Sequence, residues 1–403
     1  MALCVLLGTR LSPLPFAPYA GLLGIVIVPV LLSLRRYWGL TALAMLLGLS
    51  VISGIVLTLA STTHAALTSV MVGKSAMVVA LIGSIAVVAF ARSAVGVPAT
   101  AIAYGIGMLI STVLTGPASS GGWRFTYSIP VAIVVLGLLS IRASLLPQMI
   151  GLIALAGVGF VNDSRSNSAM LVLAAVILVW QRLTHAVSPG RRRAGNVVGI
   201  VLFAVGVFQL IQFSLLEGFF GEATQAKTAY QIQVSGNLLL GGRPEAAASF
   251  ALVQRYPFGL GSGLAPGNSD IMAAKGSMLS IGYDPQNNYV DRFMFGNGVE
   301  VHSIVGDFWV WFGLAGLAAC LVIVAIIVRG LEHGLRDAAL TGLLAYLAIR
   351  TFWDLAFSPP APSMVTLALT LPLLAVMIPR IRRRSIFTTG RPAYGESRNI
   401  ATQ

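Results

Sequence analysis

Apolar stretches long enough to cross a lipid bilayer, which takes about 20 residues per helix, recur from one end of this 403-residue chain to the other. Hydrocarbon offers no partner to a peptide N–H or C=O, so such a chain must form helices that satisfy their own backbone or close into a barrel. The runs show no strand-like alternation, which selects helices. With 57% hydrophobic residues, 10% charged residues and a mean hydropathy of +0.87, the composition is that of an integral membrane protein. The expected fold is all-α and polytopic.

A net charge of +13 would suggest nucleic acid in a soluble chain. Here the basic residues collect in short connections between apolar spans and read as orientation signals, so no nucleic-acid partner is expected. Arg35-Arg36, Arg92, Arg142, Arg191-Arg192-Arg193, Arg329 with Arg336, and the tail from Arg380 to Arg384 mark the cytoplasmic side under the positive-inside rule. Spans are then expected near 16–34, 38–59, 67–91, 93–115, 127–141, 147–161, 168–182, 195–217, 301–328, 338–357 and 363–379, which makes eleven, with the C-terminus inside.

Met1 to Gly8 is apolar but too short to cross. It reads either as a shortened first helix, which would make twelve spans, or as a re-entrant stub. A signal peptide is not expected, because no basic segment precedes the run and no small-residue cleavage site follows it. The chain divides into membrane helices over 1–217, an outer loop over 218–300, membrane helices over 301–380, and a basic tail over 381–403 that reads as disordered. Cys4 and Cys320 lie in distant apolar segments and suggest neither a disulfide nor a zinc site.

The outer loop is longer than connections without a function usually become. A helix is expected over Glu245 to Arg255, followed by a turn region from Pro257 to Gly267. Its aromatics Tyr230, Tyr283, Tyr289, Phe293 and Phe295 suit either a sugar-stacking lid or packing onto the membrane helices. Basic residues on this side oppose the orientation preference, and each needs a reason. They include Lys74, Arg124, Arg165, Arg243, Arg255 and Arg292. Several cations on one face suggest an anion, and the one natural to that place is a lipid-linked phosphate or pyrophosphate, which the planar guanidinium fork can grip with two hydrogen bonds. Arg165, Arg243, Arg124 and Lys74 are the candidate ligands, whereas Arg255 and Arg292 read as surface groups. Arg350 and Asp354, four apart within a span, read as a helix-internal ion pair.

His302-Ser303 stands where the polar loop gives way to an apolar run, and after nine intervening residues comes Gly313-Leu314-Ala315-Gly316. This pattern resembles the C-terminal signature of the bacterial O-antigen ligase and O-antigen polymerase superfamily. Gly242-Arg243-Pro244, leading to Tyr256-Pro257-Phe258-Gly259-Leu260-Gly261, is similar to the family's segment running from an Arg to Pro-x-x-Gly-x-Gly. Fifteen residues separate Arg243 from Gly259, the spacing of a polymerase motif. Ser164-Arg165 is similar to the family's Ser-Arg element, and Trp123-Arg124-Phe125 is a weaker match because Ile129-Pro130 replaces the usual Pro-Asn. The resemblance covers roughly residues 120–330. The first hundred residues match only in hydropathy, and the short first helix departs from the family's twelve-span plan.

The resemblance implies a GT-C-like, metal-independent glycosyltransferase of the bacterial cytoplasmic membrane, with no cofactor. Its donor would be an oligosaccharide on undecaprenyl pyrophosphate, and its acceptor a glycan, lipid or protein hydroxyl. The residue chemistry is compatible. Displacement at an anomeric carbon needs a base for the acceptor hydroxyl, and an ordinary histidine pKa near 6.5 suits His302 to that role. A departing pyrophosphate builds negative charge that fixed cations stabilise, a task for Arg165 and Arg243. Gly259, Gly261, Gly313 and Gly316 would shape the supporting turns. No Asp-x-Asp pair occurs in the chain, which disfavours a metal-dependent transferase. A transporter of lipid-linked sugars is the reading from another class.

Overall fold

The computed structural model describes residues 1–12, 17–116, 122–142, 144–184, 244–296 and 298–379, with the single positions 226, 229 and 233. Among these the chain is helical, and the β contacts are two isolated bridges, Tyr37 with Met377 and Ala66 with Leu264. The helices are α1 (Ala2–Gly8), α2 (Tyr19–Val26), α3 (Val28–Leu32), α4 (Leu40–Ala60), α5 (Thr68–Thr115), α6 (Ser128–Leu139), α7 (Leu145–Val161) and α8 (Arg165–Thr184). They continue with α9 (Glu245–Arg255), α10 (Asn268–Ser280), α11 (Ile304–Arg336), α12 (Gly342–Phe357) and α13 (Pro360–Leu374).

Four of them, α4, α5, α8 and α11, are long and apolar enough to cross a membrane, and α2 with Val28–Arg36 would add a fifth as a bent pair. α7, α13 and the run Trp123–Leu139 are apolar but shorter. The span expected near 195–217, the tail over 381–403, Tyr230 and Arg243 lie outside the described residues.

Four expected spans differ from the helices observed. The one near 16–34 is bent by 85° between α2 and α3, at the extended residue Ile27, and Pro29 in the first turn of α3 has no N–H with which to continue the hydrogen-bond ladder of α2. The expected boundary at Arg92 falls instead at Gly96, whose φ of 81° breaks α5 into 68–95 and 97–115. The span expected over 301–328 starts at Ile304, runs to Arg336 and is broken at Gly313. The expected helix over Glu245 to Arg255 coincides with α9.

Small residues let helices approach closely where lipid gives no hydrophobic drive for association. A Cβ on Gly24 would lie 2.6 Å from the Gly83 carbonyl oxygen, so α2 sits directly on α5. α1 packs on α5 at Gly8 and Gly107 and is too short to span. Cys4 and Cys320 are buried free thiols.

One end of the bundle carries Arg35, Arg36, Arg92 and Arg329. Trp38 N–H donates to the Val376 carbonyl at 2.9 Å, Ile378 N–H donates to the Arg36 carbonyl at 2.9 Å, and Arg92 caps the carbonyls of Pro372 and Ala375. Buried glutamines serve the same end, with Gln148 accepting from Gly342 N–H at 2.7 Å and Gln181 from Leu340 N–H at 3.2 Å. The expected Arg350–Asp354 pair is present at 3.1 Å within α12.

Candidate functional site

The turn carrying His302 is held from beneath. Ser303 caps α11 by accepting the Gly306 N–H at 3.2 Å, and its hydroxyl donates to the Leu355 carbonyl of α12 at 3.1 Å. Asp307, one turn into the helix and fully buried, accepts Val301 N–H at 2.7 Å and Ser303 N–H at 3.2 Å. His302, between those two donors, has φ 52°. A non-glycine residue adopts that left-handed region only where its surroundings over-determine it, and such residues concentrate at functional sites.

The imidazole is fixed by the loop. The Tyr289 ring stacks on it, with centroids 5.3 Å apart and planes 24° apart, and the phenol oxygen lies 3.3 Å from Nδ1. That phenol donates to Oε1 of Glu245, the first residue of α9, which is 8% exposed. With the phenol proton engaged by Glu245, the phenol oxygen is placed to accept from Nδ1–H. In the tautomer with that proton on Nδ1, the lone pair of the neutral ring lies on Nε2. Glu245 Oε2 is buried with no hydrogen-bond partner among the described residues. A carboxylate, a phenol and an imidazole in this order orient a base and stabilise the cation it becomes.

The glycines bring loop and helix together. The break at Gly313, φ 61°, frees carbonyls that an unbroken helix would use internally. Val310 O accepts Leu260 N–H at 2.7 Å and Gly261 N–H at 3.1 Å, and Phe312 O accepts the Ser53 hydroxyl at 2.9 Å. Gly259 meets the break backbone to backbone, since a Cβ there would stand 2.7 Å from the Gly313 Cα. Gly316 likewise abuts the Phe308 carbonyl. The segments 257–261 and 313–316 are two halves of one joint.

A second polar cluster fastens the loop to the connection between α4 and α5. His64 Nε2 lies 2.8 Å from Asp270 Oδ2, Tyr256 donates to Asp270 Oδ1 at 2.7 Å, and Gly267 N–H donates to Oδ2 at 2.9 Å. Arg255, which reads as a surface group from sequence, stands 3.1 Å from Oδ1. Burial works to raise the pKa of Asp270, but the bonds from Tyr256, His64 and Gly267 outweigh it and hold the carboxyl below its ordinary range.

The candidate cations fall into two described groups. Arg165 Nε lies 2.9 Å from Asp163 and Arg124 3.6 Å from the same carboxylate. All three are partly exposed, so these ion pairs contribute about 0–1 kcal/mol and two guanidiniums share one carboxylate. Lys74 has other neighbours. Its ammonium sits 3.9 Å over the Trp311 ring, 3.4 Å from the Val299 carbonyl. It lines a cavity of about 710 Å³ together with Glu300, Arg292 and Phe293. Arg292, expected at the surface, is exposed and belongs to that cavity.

Glu245, Tyr289 and Asp307 are the residues that sequence reasoning did not assign to the site, Tyr289 having been one aromatic among several. Asp307 had a usable signal, an acidic residue inside an apolar run, which is costly unless it has work to do. Glu245 had none, because its partner lies 44 positions away in a loop. Among the described residues no three His, Cys, Asp or Glu side chains cluster closely enough to hold a metal ion. The chain matches no family model, no curated protein and no solved structure.

Proposed function

We propose that the chain is a membrane glycosyltransferase that moves an oligosaccharide from undecaprenyl pyrophosphate to an acceptor hydroxyl at the outer face of the bacterial cytoplasmic membrane. Polymerisation is the first reading, on the Arg243-to-Gly259 spacing. Ligation to a lipid core or a protein uses the same donor and differs in acceptor. An arrangement of eleven or twelve spans of GT-C-like type belongs to this proposal.

The observation that carries it is the Glu245–Tyr289–His302 chain at the loop end of α11. His302 Nε2 takes the proton of the acceptor hydroxyl as its oxygen attacks the anomeric carbon. The bond from that carbon to the pyrophosphate oxygen breaks, and undecaprenyl pyrophosphate leaves with the electron pair. The imidazolium keeps its Nδ1–H on Tyr289, whose phenol is tied to the Glu245 carboxyl. Arg124 and Arg165 can exchange their weak pairing with Asp163 for the departing pyrophosphate, whose charge matches the fork geometry better.

Purified protein incubated with a defined undecaprenyl-pyrophosphate-linked repeat, with and without candidate acceptors, tests the proposal by its product ladder. The wild type forms a glycosidic bond, and His302→Ala stays folded, binds donor and forms none. A transporter of lipid-linked sugars remains as a second reading, favoured by the helix breaks at Gly96 and Gly313, since transporters place interrupted helices at their sites. Under that reading His302→Ala would still move labelled lipid across proteoliposomes and the wild type would yield no product.

A further inference from the structure

At the arginine-rich end, the turn of Ser33–Arg36 faces the extended segment that follows α13, and between them opens a groove of about 750 Å³. Arg35, Arg36 and Ser93 form one wall, and Met377, Ile378 and Pro379 the other. The backbone bonds between residues 36–38 and 376–378 make these walls one piece.

Charge and hydrocarbon stand side by side there. Arg35 and Arg36 are exposed, and among the described residues neither has a carboxylate in ion-pair range. Arg36 Nη1 donates to the Ser93 hydroxyl at 3.1 Å, and both residues line the groove. The neighbouring Arg92 is already used, capping Ala375 at 2.7 Å and covering the Tyr37 ring, and Arg329 lies over Trp38. Met377 and Ile378 are 53% and 47% exposed. A free phosphate would satisfy the guanidiniums and leave this apolar wall bare, whereas a phospholipid satisfies both, its phosphate on the fork and its glycerol and first methylenes on the apolar wall.

We propose that this groove is a binding site for an anionic phospholipid, with Arg35 and Arg36 holding the headgroup phosphate. Two cations with no acidic neighbour among the described residues favour a lipid of net negative charge over a zwitterionic one, whose own ammonium would be repelled. The inference rests on the membrane location of the helices and is independent of the glycosyltransferase reading.

The test uses full-length protein in detergent micelles titrated with phosphatidylglycerol, phosphatidylcholine or inorganic phosphate while thermal unfolding is followed. Phosphatidylglycerol is expected to raise the wild-type Tm saturably, as a ligand of the folded state does. Phosphatidylcholine and phosphate should do so at least tenfold more weakly in midpoint. Arg35→Gln with Arg36→Gln should abolish the preference for phosphatidylglycerol, while Arg35→Lys with Arg36→Lys keeps it at reduced affinity. Mass spectrometry of lipid retained by the wild type after delipidation should show phosphatidylglycerol enriched over its share of the membrane, which tests the site without any variant. The proposal is overturned if inorganic phosphate reproduces the shift, if the glutamine variant responds like wild type, or if the retained lipid mirrors the bulk composition.

Discussion

Asp307→Asn asks whether the histidine turn is held by its buried acid. Both side-chain oxygens of Asp307 accept backbone N–H groups, from Val301 at 2.7 Å and Ser303 at 3.2 Å, in a position with no exposure to solvent. Asparagine keeps the shape but has one acceptor, so its NH2 must face one of those donors and leave it buried and unsatisfied. That costs about 1–3 kcal/mol, equivalent to roughly a 5- to 150-fold change in a local opening equilibrium. The affected amides report directly, because hydrogen exchange at Val301 and Ser303 requires the bonds to open. Mass-spectrometric exchange on a peptide covering 298–306 should show protection falling by that factor, with α4 and α8 unchanged. Unaltered protection at 298–306 would refute the role of Asp307, and an equal loss throughout the bundle would mean that the carboxyl stabilises the whole fold rather than this turn.

Gly313→Ala places a Cβ against the Phe258 carbonyl at φ 61°, costing about 1–2 kcal/mol in backbone conformation and 1–3 in overlap. Limited proteolysis within 256–267 should accelerate, and wild-type cleavage rates would dismiss the joint. Tyr289→Phe keeps the ring but not the relay, so turnover should fall about 2- to 10-fold for the lost hydrogen bond. The loss should fall on kcat with KM for the donor unchanged, whereas wild-type kcat would separate Tyr289 from the chemistry. The depressed pKa of Asp270 makes its contribution to loop docking complete above the unfolded-state value near 3.8 and progressively lost as pH falls below it. Exchange in α9 and α10 should therefore rise in acid, and Asp270→Asn should flatten that dependence. Chelating magnesium should leave transfer unchanged, and a strict metal requirement would remove the mechanism.

What could be read from the sequence follows from how local each signal is. Helix class and the approximate positions of α4, α8 and α12 follow from composition over windows of one bilayer thickness. α9 was legible because its pattern is complete within eleven residues. The breaks were not, since Gly96 and Gly313 sit in runs whose hydropathy is continuous, and an apolar run reads the same straight or broken. Arg124 and Arg165 were singled out as cations, but their shared carboxylate, Asp163 at φ 53°, emerges only when two connections are brought together. Glu245 lay two residues from a motif arginine and still gave no hint, because its meaning depends on Tyr289.

The break in α11 and the position of His302 have one cause. A helix that ran unbroken from Ile304 would use Val310 O and Phe312 O internally and give the loop nothing to bond. With the break, those carbonyls face outward and take the N–H groups of Leu260 and Gly261 and the hydroxyl of Ser53. This anchors the segment directly after α9, and α9 begins with Glu245, the residue that orients Tyr289 against His302. The glycines therefore act on the imidazole at a distance, through the placement of α9. Enlarging Gly259 should reduce turnover together with loop protection, in proportion, with no residue of the relay altered. Loss of one without the other in Gly259→Ala would show that the joint and the base are independent.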